Sequence, residues 1–150
     1  MRKLVTLIIC LSLISGISVI NSCKKDKVKG CMDKDSKNYN ANAEEDNGSC
    51  AYEGSIVFWY NKTTSEFLLS DGAIALTYYV NGSIVGSTDA SVYWSGAPDC
   101  DQSGSVTIKK DLGSDKTKSF TFSAKDQTGW EYFKGTVDFT ANNCTTYQLQ

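Results

Sequence analysis

Ala73-Ile74-Ala75-Leu76-Thr77-Tyr78-Tyr79-Val80-Asn81-Gly82-Ser83-Ile84-Val85 is the stretch that decides the fold. From Ala73 to Val80 the large apolar side chains Ile74, Leu76, Tyr78 and Val80 recur at every second position. A period of two lines them along one face of a β-strand, whereas a helix would scatter them. Asn81-Gly82 follows at once. Both residues tolerate positive φ, so the pair predicts a two-residue hairpin turn with a return through Ile84-Val85. The flanking sequence repeats the theme. Ser55 to Tyr60 reads as a buried strand and Val92-Tyr93-Trp94 as a short one. Val106 and Ile108 alternate with Thr107 and Lys109, and Phe120, Phe122 and Ala124 alternate with Thr121, Ser123 and Lys125. After a turn at Gln127-Thr128-Gly129, Glu131 to Phe139 is a long strand with Phe133, Val137 and Phe139 inward and a bulge at Gly135. Thr146 to Leu149 ends the chain as an edge strand. No stretch of this body shows a helical period.

About seven strands with short turns predict an all-β fold over residues 53–150, a single antiparallel β-sandwich of immunoglobulin-like or transthyretin-like type. Only one Pro and the 17 aromatic residues (6 Phe, 8 Tyr, 3 Trp) fit a packed, strand-rich body. There is no His, which removes the usual general base and imidazole metal ligands. Arg2 is the sole Arg, so no Arg cluster can clamp phosphate.

The N-terminus reads as an export signal covering residues 1–22. Arg2 and Lys3 precede an uncharged apolar run from Leu4 to Ile20, then Asn21-Ser22-Cys23 and the polar Lys24-Lys25-Asp26-Lys27-Val28-Lys29. The run is short for a membrane span, which needs about 20 apolar residues, and its flanks suit a cleaved signal. Ile20-Asn21-Ser22-Cys23-Lys24-Lys25-Asp26 resembles the lipobox of lipoproteins of the Bacteroidota, with Asn21 where Ala or Ser is usual. The resemblance implies that Cys23 receives a diacylglycerol and becomes the new N-terminus, with residues 23–29 as a lipid-anchored tether. It implies a cell-envelope location, an outer-membrane lipoprotein facing the periplasm or the surface. Removing Arg2 and Lys3 takes the basic groups from 15 to 13 against 17 acidic ones, a net charge of −4. With no basic face, nucleic-acid binding is excluded.

Of six Cys, Cys10 leaves with the signal and Cys23 takes the lipid, leaving Cys31, Cys50, Cys100 and Cys144 in an oxidising compartment. Three connectivities exist on paper. Cys31–Cys50 with Cys100–Cys144 keeps each bridge inside one unit. A tetrathiolate metal site lacks its Cys-x-x-Cys knuckles.

Residues 30–52 form a separate acidic module with few apolar groups, so it needs a bridge, a metal or a partner surface to fold. Its carboxylate and amide oxygens suit Ca²⁺. Gly30, Cys31, Asp33, Asn38, Tyr39, Asn40, Ala43, Asp46, Gly48, Ser49, Cys50 and Tyr52 match a repeat of Bacteroidota surface proteins, which is similar to the calcium-rich thrombospondin type 3 repeats. Met32 and Asn47 depart from it. The resemblance implies Ca²⁺ on Asp33, Asp35 and Asp46 with amide oxygens of Asn38, Asn40 or Asn42, and Tyr39 turned toward the sandwich. Lys37 stands where an EF-hand needs its third ligand. Two readings stand: a Ca²⁺ site, or a disulfide-closed spacer with a solvated acidic surface.

Nothing in the chain spells an enzyme. No Gly-x-Ser-x-Gly or Ser-x-x-Lys motif offers a nucleophile, and Asp99 with Asp101 is the one carboxylate pair worth weighing for a small hydrolase. The leading expectation is a non-enzymatic lipid-anchored envelope protein that presents its sandwich to a protein or glycan partner. A carbohydrate-binding accessory lipoprotein is the alternative. It would require some of Trp59, Tyr60, Tyr78, Tyr79, Tyr93, Trp94, Trp130 and Tyr132 to line up as an exposed stacking platform.

Overall fold

The Asn81-Gly82 hairpin forms as its sequence requires. In the computed structural model, which describes residues 25–150, Asn81 and Gly82 both take positive φ (48° and 75°). They join β4 (Ala75–Val80) to β5 (Ser83–Asp89), antiparallel from Val80 opposite Ser83 to Ala75 opposite Asp89. Asn81 also ties the turn to the neighbouring strand. Its N–H donates to the Thr121 carbonyl at 2.9 Å, and its Oδ1 accepts from the Thr121 N–H at 3.1 Å. Leu76, Tyr78 and Val80 face the core as the alternation demands. Ile74 departs from it. The ladder begins at Ala75, and just before it the alternation breaks, so that Ala73 is buried and Ile74 has 69% of its surface exposed.

The body has seven strands in two sheets. One has the order β5-β4-β7-β8, with β7 (Thr117–Lys125) and β8 (Glu131–Thr140). The other has the order β6-β3-β9, with β3 (Tyr52–Trp59), β6 (Thr107–Gly113) and β9 (Cys144–Gln148). Their inner faces meet through aromatic rings. Phe58 of β3 lies 4.8 Å from Phe122 and 5.8 Å from Tyr78, and Phe122 also meets Tyr147 of β9 at 5.1 Å. This is the all-β sandwich read from the alternation. One pairing departs from the antiparallel rule: β9 runs parallel to β3, from Cys144 opposite Ser55 to Gln148 opposite Trp59. The chain leaves β8, crosses to the other sheet at Ala141–Asn143, and turns back along β3. The expected edge position of the last strand holds.

Three further expectations are corrected. A helix exists, α1 (Lys62–Ser70), capped where the Asn61 Oδ1 accepts from the Thr64 N–H at 3.0 Å. It is too short to display a period, and buries only Ser65 and Leu68, three positions apart. Val92-Tyr93-Trp94 joins no ladder and lies in the loop between β5 and β6. The bulge in β8 falls at Tyr132, not at Gly135: Phe133 opposes Ala124 and Glu131 opposes Lys125, leaving Tyr132 unpaired. Gly135 stays in register opposite Phe122, where an added Cβ would come 2.9 Å from the Phe122 ring. The glycine gives that buried ring its space.

Both disulfides are those that keep each bridge within one unit. Cys31 pairs with Cys50 at a Cα separation of 4.9 Å, and Cys100 pairs with Cys144 at 6.3 Å, joining the β5–β6 loop to the first residue of β9. The segment 1–22, read as an export signal, and Cys23, read as the lipid acceptor, lie outside the described residues.

Candidate functional site

Two places gather side chains beyond what the sandwich core requires: the seam between the acidic module and the sandwich, and the opposite end of the sandwich. The module is small. Its β1 (Lys29–Gly30) pairs in parallel with β2 (Glu45–Asp46), and the Cys31–Cys50 bridge closes it. Its Asn and Asp side chains do the work a core would do. Asn38 accepts from the Ala51 N–H at 2.8 Å through Oδ1 and donates to the Ser49 carbonyl at 2.7 Å through Nδ2. Asn40 Oδ1 accepts from the Asn42 N–H, and Asp46 Oδ1 from the Gly48 N–H, each at 3.0 Å. The last two close turns, whereas Asn38 ties its segment to the chain on either side of Cys50.

Of the residues expected to hold Ca²⁺, Asp33 and Asp35 converge, and the cation between them is Lys116 of the sandwich. Its Nζ lies 2.7 Å from Asp33 Oδ2 and 3.0 Å from Asp35 Oδ2. The Tyr52 hydroxyl donates to the same Asp33 oxygen at 2.9 Å. The Lys116 hydrogen bond, helped by the Asp35 N–H and Tyr52, pulls the Asp33 carboxyl down to a pKa of about 2. Lys37 of the module pairs with Asp111 of β6, which lowers the Asp111 pKa and raises that of Lys37. Asn38, Asn40 and Asp46 are engaged in hydrogen bonds within the module. Among the described residues no three His, Cys, Asp or Glu side chains gather in a metal-binding group. Tyr39, expected to turn toward the sandwich, is exposed, and the ring at the seam is Tyr52, the first residue of β3.

The opposite end is built from the end of β3, α1, the start of β4, the end of β5 and the turn between β7 and β8. Phe67, Leu69, Ile74, Tyr93 and Trp130, most of the body's large exposed apolar residues, lie in the segments of this end. Trp130, 65% exposed, stands on a braced turn. Asp126 Oδ1 accepts from the Trp130 N–H at 2.9 Å and from the Thr128 N–H at 2.8 Å, and the Asp126 N–H donates back to the Trp130 carbonyl at 3.0 Å. Phe67 and Tyr132 meet edge-on at 6.2 Å, and the Tyr132 hydroxyl donates to Asp71 at 2.7 Å. That bond, with burial and the charges of Asp71 and Asp126, pushes the Tyr132 pKa up to about 12, so the ring sits in a negative field. Gln127 fastens the turn to the β4 end, accepting from the Ile74 N–H and donating to the Gly72 carbonyl.

The eight rings weighed for a stacking platform do not line up on a sheet face. Tyr60 and Tyr78 are in the core, Trp59, Tyr79, Trp94 and Tyr132 are half-buried, and Tyr93 and Trp130 are exposed on loops. Asp99 and Asp101 are exposed on one turn, with Asp101 3.7 Å from Lys109. Sequence reading missed Phe67, Asp71 and Ile74. An Asn three residues ahead of Thr64 was the available signal for the helix that carries Phe67. Comparison with known proteins finds no matching family model, no matching curated protein and no matching solved structure.

Proposed function

We propose that this protein is a non-enzymatic lipoprotein of the cell envelope, anchored through acyl chains on Cys23, that presents the far end of its β-sandwich to a partner. The observation that carries this reading is the polarity of the molecule. The tether enters at the module, and the module is clamped to the sandwich end where β7 begins, through Lys116. The exposed rings lie at the other end, where β7 finishes. Nine residues of strand separate the two ends, roughly 30 Å at about 3.3 Å per residue. A lipid at Cys23 would therefore leave the exposed apolar end farthest from the bilayer. The several acyl chains of such an anchor give lasting attachment at about 0.8 kcal/mol per buried CH₂.

The test is chemical. Mass spectrometry of membrane-extracted protein should show an acylated peptide beginning at Cys23, and Cys23→Ala should leave the chain without lipid. A mature protein with an unmodified Ser22–Cys23 junction overturns the anchor. Accessibility of Trp130 to a membrane-impermeant oxidant in whole cells, against opened envelopes, reads which side the far end faces.

A further inference from the structure

We propose that the far end of the sandwich is a docking surface for a cationic, partly apolar polypeptide segment. The inference rests on that end being the presented one, and adds the chemistry of the partner. The surface offers apolar contact first. Phe67, Ile74 and Trp130 expose more than half of their surface each. An exposed apolar cluster of this kind marks an interaction site more often than a chance one. It is also held still: the Trp130 turn is closed by five hydrogen bonds with Asp126, and Gln127 bonds it to the backbone of residues 72 and 74. A preorganised ring loses little freedom on binding.

Charge selects the partner. Glu66 is paired with Lys62, and Glu131 with Lys125 and Lys134. Asp71, Asp89 and Asp126 have no ion-pair partner among the described residues. The surface is thus acidic between apolar rings. Lys or Arg side chains supply the missing charge and also sit favourably over aromatic faces. Apolar neighbours in the same segment would cover Phe67 and Ile74. A second copy of this chain would bring the same negative charge and be repelled. A glycan fits less well. Phe67 and Tyr132 are 84° apart in plane, so they offer no shared flat face, and Leu69 and Ile74 offer no hydrogen bond.

The experiment titrates the full lipidated chain, held in neutral detergent, into a fluorescent hexapeptide alternating leucine and arginine, with a leucine–glutamate hexapeptide and a glucose hexasaccharide as comparisons. Binding of the arginine peptide is expected, weakening as salt rises. Trp130→Ala should weaken it about tenfold, as loss of a central aromatic anchor does, and Asp71→Asn should weaken it further, while Asp115→Asn at the module end leaves it unchanged. Trp130 is exposed, so its removal spares the core, and an unchanged melt confirms this. Absence of binding, equal loss in Asp115→Asn, indifference to Trp130→Ala, self-association through this end, or Trp130-dependent binding of the hexasaccharide alone would each overturn the proposal. The acyl mass at Cys23 is read separately, so failure of the peptide leaves the anchor reading standing.

Discussion

Gly54 marks a close approach of the two sheets, and replacing it with Ala measures how tightly they are locked. A Cβ at this position would lie 2.7 Å from the Thr140 carbonyl oxygen, 3.0 Å from the Thr140 nitrogen and 3.2 Å from the Phe139 Cβ. The obstacle is mostly backbone, so no rotamer change relieves it. Retreat is also blocked. The Asn142 N–H donates to the Glu53 carbonyl, and the Ser55 N–H to the Asn143 carbonyl, both at 2.9 Å, pinning β3 on either side of Gly54. Overpacking of this kind costs about 1–3 kcal/mol. Against it stands a gain of about 0.4–1 kcal/mol from the stiffer unfolded chain. The net loss is about 1–2 kcal/mol. A sandwich of about 100 residues unfolds with an entropy near 0.2 kcal/mol per degree, so the melting temperature should fall by about 5–10 °C. Gly96→Ala is the control, because nothing lies within 4 Å of its added Cβ. Thermal unfolding followed by circular dichroism, with disulfides intact, reads both. If Gly54→Ala melts with the Gly96→Ala control, the contact between β3 and β8 is loose and the argument fails.

Other perturbations separate the module from the body. The pKa of Asp33 is depressed in the folded state, so its contribution to docking is fully present above its ordinary value near 3.8 and is lost as pH falls toward about 2. Amide exchange of module residues should therefore quicken between about pH 4 and 2 while the sandwich stays protected, and Lys116→Met should show the quickened exchange already at neutral pH. Replacing Cys100 and Cys144 together by Ser should lower the denaturant stability of the sandwich by about 2–5 kcal/mol, whereas opening Cys31–Cys50 should loosen the module alone. Asn61→Ala should cost about 1 kcal/mol by uncapping α1. With Asp33 and Asp35 engaged by Lys116, Ca²⁺ up to about 10⁻² M should leave the melt unchanged; a rise below about 10⁻³ M that Asp46→Ala abolishes would establish the calcium site instead.

The strands were legible because a half-buried strand writes a period of two that survives in any six residues. Ala75–Val80 and Thr117–Lys125 are read straight from their alternation. The hairpin was legible because few residues besides Asn and Gly accept its dihedrals. Helix α1 was not, since nine residues with two buried positions leave no period, and Asn61 reads equally as a loop residue until its side chain is seen on the Thr64 N–H. Ile74 shows the limit of pattern from the other side. It keeps the alternation by position, yet it falls one residue before the ladder begins at Ala75, where the chain turns so that Ala73 is buried and Ile74 is exposed. The far-end surface was hidden for the same reason. Phe67, Ile74 and Trp130 come from three separate segments, and only the crossing of the chain over the top of the sandwich brings them together.

The module shows how an acidic segment with almost no core keeps a defined place. Its carboxylates repel one another in sequence, and the bridge alone would hold only its two ends. Lys116 changes the balance by standing between Asp33 and Asp35, and Lys37 answers it by reaching across to Asp111. The two ion pairs run in opposite senses, module acid to body base and module base to body acid. A sliding or rotating module would have to break both, so the pair fixes orientation where either bridge alone would act as a pivot. These groups are exposed, and each pair contributes little to stability on its own. Their value is directional. A fixed module makes the tether and the Trp130 end opposite poles of one body, and without that fixity an anchor at Cys23 would not determine which face of the sandwich meets a partner.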